Sequence, residues 1–155
     1  MIKIRLKKLR DQFKKYNLDG YVVPKNDEFF SEYSSKDRLS FISNFNGSAG
    51  YAVILKDENY LFVDGRYSIQ AKIESGKNFK IIDYKEILNT KIFKNLNLGI
   101  DPRLFTSDQI KKFFLKNNGV TIIDENLVDN IFKTKKKKLN PFYSLDKKVT
   151  GENHY

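Results

Sequence analysis

The grouping in this sequence best suited to chemistry is Asp64-Gly65-Arg66-Tyr67, a charged, flexible, charged, aromatic quartet that directly follows the β-rich run Tyr60-Leu61-Phe62-Val63. A strand-to-helix junction of this kind sets its side chains at the rim of a sheet. There Arg66 would offer a fixed guanidinium fork to a carboxylate, a phosphate or an acid on a partner domain, with Tyr67 packed beside it. A plainer reading competes: Asp64 caps a helix, and Arg66 pairs with a nearby acid such as Asp27, Glu28 or Glu32. Both stay open on sequence.

Other groupings carry less. Gly47-Ser48-Ala49-Gly50 has the small residues that let backbone N–H groups approach an anion. It lacks the GxxxxGK spacing and precedes a strand rather than a helix, so a close-packed turn is the favoured reading. Asn46-Gly47-Ser48 matches a glycosylation sequon, which is set aside because no export signal accompanies it. A histidine-rich metal site needs several imidazoles, and a serine or cysteine mechanism needs a base beside its nucleophile. The chain has no Cys and one His, His154, next to its last residue. The acids cluster in turns (Asp57, Glu58) or at caps (Asp101, Asp108), where capping explains them first. No catalytic or metal-binding residue is assigned.

What positions these residues must be a folded core. A chain of 155 residues suits one domain, and 40% apolar content with 13 Phe and 9 Tyr excludes wholesale disorder. No apolar run approaches the ~18 residues of a membrane span, and the charged start Met1 to Arg10 lacks a secretory core, so a cytoplasmic protein without membrane contact is expected. The net charge of +10 invites a nucleic-acid reading. Against it, only five of the 29 basic residues are Arg (Arg5, Arg10, Arg38, Arg66, Arg103), and the lysines are scattered except for Lys135 to Lys138. Solvated surface charge is the favoured account.

The spacing of Leu6, Leu9, Phe13 and Tyr16 predicts one helix over residues 2–17. Tyr21-Val22-Val23 reads as a buried strand closed by Pro24. A long polar loop with Phe29, Phe30 and Tyr33 follows, and then a short helix capped by Asp37. Residues 51–55 and 60–63 read as a hairpin, and Asp64-Gly65 opens a helix to about Glu74 with Tyr67, Ile69 or Gln70, and Ile73 inward. Strands at 79–82 and 98–100 flank a helical segment at 85–93. Thr106 and Gln109 form a capping box for a helix to Asn117 that buries Ile110, Phe113 and Phe114. A strand at 120–123 and a turn of helix capped by Asn126 or Asp124, holding Leu127, Val128 and Ile131, complete a domain over residues 1–133. Residues 134–155 read as a basic linker. The order predicts an α/β fold with a mixed five- to six-stranded sheet flanked by helices.

Three stretches resemble the amino-terminal domain of Xaa-Pro aminopeptidases of the creatinase and prolidase superfamily, in their long eukaryotic-like form. They are Asp19-Gly20-Tyr21-Val22-Val23-Pro24 with Ser31-Glu32-Tyr33, the run from Arg38 to Gly50, and Val63-Asp64-Gly65-Arg66-Tyr67-Ser68-Ile69-Gln70-Ala71. Gly99-Ile100-Asp101-Pro102 and the run from Glu125 to Ile131 continue the likeness in the same order. The resemblance implies a ribonuclease-H-like mixed-sheet domain ahead of a similar middle domain and a catalytic domain. The catalytic domain would hold two divalent metals, usually manganese, on Asp, Asp, His, Glu and Glu motifs that this chain does not contain. The whole enzyme would release the first residue of peptides whose second residue is proline.

The chain reaches Tyr155 near where the middle domain would begin, so it is expected to be a non-catalytic domain that partners the middle and catalytic domains. The resemblance also implies that the turn before Tyr51 and the quartet face the catalytic pocket of the same or a neighbouring subunit. Phe45, Asp64, Arg66 and Tyr67 are therefore the candidate substrate or domain contacts, with a homodimer among the expected assemblies. A stand-alone binding module for an acidic partner, and a nucleic-acid binder using the basic tail and the aromatics beside Lys25, are the competing readings.

Overall fold

The computed structural model describes residues 1–31, 34, 36–88, 93–116, 118–132, 141 and 143–152. Glu32, Tyr33, Asn117, the Lys135 to Lys138 run, His154 and residues 89–92 of the helical segment expected at 85–93 lie outside the described residues.

Strands β1 (Gly20–Pro24), β2 (Gly50–Leu55), β3 (Asn59–Val63), β4 (Lys80–Asp83), β5 (Asn97–Ile100) and β6 (Gly119–Ile122) form one sheet in the order β4-β3-β2-β1-β5-β6. β2 runs antiparallel to both neighbours, and the β3–β4, β1–β5 and β5–β6 pairs are parallel. The expected mixed α/β sheet is therefore present, with six strands. The carboxyl ends of β1, β3 and β5 consequently lie along one rim, beside the start of β2.

Alternate residues feed two cores. Tyr21, Val23, Ala52, Ile54, Leu61 and Val63 pack under α1 (Ile2–Arg10), α2 (Arg38–Ser43) and α3 (Ser68–Ser75). Val22, Tyr51, Val53, Tyr60, Phe62, Leu98 and Ile100 pack under Ile87, Leu104, Phe113 and Phe114. This period-two division is the pattern of a sheet covered on both faces.

Several local expectations hold. The Asp37 carboxylate accepts from Ser40 N at the start of α2. Thr106 and Gln109 make the reciprocal capping box of α4 (Ser107–Ile110). Others are corrected. The first helix stops at Arg10 and is followed by a 3₁₀ turn at Phe13–Tyr16. There Arg10 leaves the helix face to donate from Nε to Leu55 O at 2.7 Å, and Gln12 donates to Leu127 O at 2.9 Å.

The inward face expected for α3 is also wrong at two positions, since Ile69 is 73% and Ile73 77% exposed and the buried residues are Ala71 and Ser75. Tyr67, Ala71 and Ser75 follow one another at the helical spacing of four on the core side, which puts Ile69 and Ile73 on the opposite face. Small inner side chains then let α3 lie close to the sheet.

The helix after Thr106 widens into a π-helix at Lys111–Leu115, which buries the adjacent Phe113 and Phe114 together. The segment expected at 85–93 is a 3₁₀ turn at Tyr84–Leu88 where described. Residues 126–132 form a turn in which Asn126 Oδ1 accepts from Val128 N at 3.0 Å. Within the expected linker, α5 (Lys147–Thr150) is a short helix with no buried residue.

Candidate functional site

The rim at the carboxyl ends of β1, β3 and β5 brings the candidate residues together. Leaving β3, Asp64 turns outward and accepts from Arg66 N at 3.0 Å and Arg66 Nε at 2.9 Å. These bonds, with Arg66 leading, hold the Asp64 carboxyl below its ordinary range. Asp64 is thus both cap and ion-pair partner. The Arg66 side chain stays 75% exposed, with its guanidinium carbon 5.6 Å from the Tyr67 ring centroid.

Tyr67 joins this junction to the turn before β2. Its hydroxyl shares a hydrogen bond with Ser48 Oγ at 2.9 Å, and its ring stands edge-on to Phe45 at 5.9 Å. Phe45 is fully buried. It can influence a ligand only by supporting Tyr67 and the turn. Asn44, at φ 64°, bends the chain back, and a Cβ on Gly47 would collide with the Phe45 ring. A Cβ on Gly50 would meet Phe62 O at 2.9 Å. The Gly47-Ser48-Ala49-Gly50 run is therefore a close-packed turn. Asn46 N donates to Glu74 Oε2 at 2.8 Å, tying the turn to α3.

Sequence reasoning missed the second half of this rim. Arg38, 3% exposed, donates from Nε to Asp129 Oδ1 at 2.8 Å and from Nη2 to Asp129 Oδ2 at 2.9 Å and Glu28 Oε1 at 2.6 Å. Lys36 Nζ lies 2.7 Å from Asp129, and Lys25 pairs with Asp37. Burial disfavours the Arg38 charge, but the bonds to Asp129 and Glu28 outweigh it and hold the proton more firmly than usual. Burial likewise opposes ionised Asp129, and Arg38 with Lys36 more than offsets it, leaving that carboxyl below its ordinary range. Arg38 and Asp129 each sit in a stretch that carried the resemblance; nothing local in the sequence linked them.

The same ion pairs bear on the aromatic loop. Phe29 is 88% and Phe30 47% exposed, but Lys25 and Glu28 beside them are both paired. The loop therefore presents rings without a free cation from Lys25 to accompany them.

On the β5 side, buried Asp101 accepts from Arg103 Nε at 2.9 Å, Arg103 Nη2 at 2.7 Å and Asn126 Nδ2 at 2.9 Å. The rim thus offers an exposed guanidinium on an aromatic platform and a shallow concavity of about 350 Å³ lined by Ser40, Asn44, Asn46 and Glu74. The Ser48 hydroxyl meets another hydroxyl, not an imidazole or carboxylate base. Among the described residues, no three His, Cys, Asp or Glu side chains are grouped to hold a metal, and no helix is long and apolar enough to cross a membrane. The arrangement suits binding and positioning.

Residues 5–129 match the model of the creatinase/prolidase N-terminal domain. The probable Xaa-Pro aminopeptidase P of Coprinopsis cinerea is 34% identical over 96% of the chain and 26% of its own length. Xaa-Pro aminopeptidase 1 of Dictyostelium discoideum is 34% identical over 96% and 27%. The chain therefore spans about a quarter of the curated relatives it matches. Among solved structures, the X-prolyl aminopeptidase of Caenorhabditis elegans, described as a cytosolic enzyme with a di-nuclear active site, superimposes with a TM-score of 0.76. It is 29% identical, and the match covers 97% of this chain and 29% of that one. The N-terminal domain of the cytoplasmic peptidase PepQ of Mycobacterium tuberculosis has the same fold, with a TM-score of 0.63 at 18% identity over 83% of this chain and 98% of that one.

Proposed function

The chain belongs to the creatinase/prolidase N-terminal domain family, and from that membership we propose that it is the non-catalytic N-terminal domain of an Xaa-Pro aminopeptidase. The complete polypeptide would release the N-terminal residue from peptides with proline in second position. One observation carries the reading: the chain matches Xaa-Pro aminopeptidases over almost all of its own length but only about a quarter of theirs.

Hydrolysis would then belong to two divalent metals, manganese by preference, bound by residues outside this chain; the di-nuclear site of the C. elegans enzyme supports this. The domain, residues 1–133, would pass through the basic segment 134–155 to a middle and a catalytic domain. It would work in the cytoplasm, where a second copy of the chain is a further partner.

Within that enzyme the rim of Phe45, Asp64, Arg66 and Tyr67 faces the substrate pocket. Arg66 holds the far end of the peptide or limits its length, through a charge-assisted hydrogen bond to a carboxylate. Asp64 and Tyr67 fix the guanidinium, and Phe45 supports Tyr67 from below. The test is Arg66→Ala in the complete polypeptide. A change in the ratio of kcat/KM between long and short proline-second peptides is expected, and equal values for both would refute the role.

A further inference from the structure

We propose that Phe29 and Phe30, on the loop that leaves β1, form an apolar subsite for a large side chain beyond the proline of the substrate. This rests on the aminopeptidase reading above and deepens it by naming a substrate class.

The loop is held in an unfavourable conformation. Phe30 has φ 58°, in the left-handed region, whereas the other described non-glycine residues with positive φ, Asn17, Asn44 and Asn95, are all asparagines. Asparagine tolerates that region; a bulky aromatic residue does not, and such an outlier persists only where its surroundings impose it. Here they do. Asp27 Oδ1 accepts from Phe29 N at 3.0 Å and Ser31 N at 2.9 Å, and Asp27 O accepts from Phe30 N at 3.0 Å. Lys25 N donates to Gly50 O and Asn26 Nδ2 to Leu104 O, both at 3.0 Å, which ties the base of the loop to β2 and to the turn after β5. The ion pair of Glu28 with Arg38 fastens it to α2.

These bonds hold two rings away from the core, Phe29 at 88% and Phe30 at 47% exposure. Backbone strain that keeps apolar surface in water points to an occupant.

Charge and position identify that occupant. The charges around the rings satisfy one another: Lys25 pairs with Asp37, Glu28 with Arg38, and Arg103 with Asp101. An uncharged, apolar side chain is what such a surface accepts. In the sheet, Pro24 lies opposite Tyr51 and Gly50 opposite Val63, so the ends of β1 and β3 flank the start of β2. The two exits are then two strand spacings apart, roughly 10 Å, which is about three residues of extended peptide. A short peptide whose far end is held at Arg66 therefore has the reach to lay a preceding side chain on the rings.

The test compares two proline-second tetrapeptides of equal length, Ala-Pro-Leu-Leu and Ala-Pro-Gly-Gly, as substrates of the complete polypeptide. The unchanged enzyme should favour the leucine peptide in kcat/KM. Phe29→Ala and Phe30→Gly should each lower that preference roughly tenfold. Phe29→Leu, which keeps a large apolar side chain, should retain most of it. Glycine adopts positive φ without strain, so the urea midpoint of the 155-residue chain should hold in Phe30→Gly. Should that variant fail to fold, Phe29→Ala decides, because a ring 88% exposed contributes little to packing. No leucine preference in the unchanged enzyme, or the same preference in Phe29→Ala, overturns the subsite and leaves the aminopeptidase reading standing. An equal loss on both peptides also overturns it, since the rings would then pack against another domain. No hydrolysis of either peptide by the unchanged polypeptide overturns both.

Discussion

Arg38 and Asp129 meet in a two-pronged ion pair, at 2.8 and 2.9 Å, that clamps the start of α2 to the last turn of the domain. The guanidinium is almost wholly removed from water, so removing either partner strands a charge. Arg38→Met should destabilise the domain by about 3 kcal/mol, read from the urea midpoint at constant slope. A change within about 0.5 kcal/mol would mean that water replaces the pair at no cost.

The same cluster sets the response to acid. Glu28, through its bond from Arg38, and Asp129 and Asp101, through bonds that outweigh their burial, all have folded-state pKa values below the ordinary range. Their contribution is complete above the unfolded-state value of about 4 and is lost as pH falls through the lower folded values, because the unfolded chain then binds more protons. Stability should be flat near neutrality and fall below about pH 4. Asp129→Asn should shallow that fall in urea titrations at a series of pH values.

Phe45 should dominate the packing of the rim. Phe45→Ala removes a fully buried ring and should cost about 3–5 kcal/mol. Gly47→Ala pushes a methyl into that ring and should cost about 1–3 kcal/mol. Tyr67→Phe removes only the bond to Ser48 and should cost about 1 kcal/mol. Thermal unfolding of the three variants gives the order; Tyr67→Phe as costly as Phe45→Ala would contradict it.

Ile69 and Ile73 discriminate the sequence reading of α3 from the structure. As core residues, either changed to Lys would unfold the domain; as exposed ones, each should shift stability by no more than about 0.5 kcal/mol. Urea unfolding of Ile69→Lys decides between them.

These variants also mark what the sequence could reveal. The Asp37 cap and the Thr106–Gln109 box depend on residues within one turn, and the hairpin on adjacent runs, so local chemistry suffices to read them. The α3 face was misread because the large apolar residues Ile69 and Ile73 lie on the outer face, while the stripe that continues inward from Tyr67 at a spacing of four consists of the small residues Ala71 and Ser75, which carry little apolar signal. The quartet's position at a rim was legible, since a strand-to-helix junction requires it. Its stitching to the Gly47–Gly50 turn through Ser48 and Phe45 was not, because hydrogen bonds and ring contacts between separate segments exist only in the fold. Arg38 and Asp129 are further apart still, 91 residues along the chain.

The central claim is that this domain serves an aminopeptidase without holding its catalytic centre. Its most direct test is hydrolysis of Arg-Pro-Pro by the purified 155-residue chain with added manganese, alongside the same chain treated with chelator. No turnover in either sample is the predicted result. Turnover that chelator abolishes would place a working metal site within these residues and contradict the account.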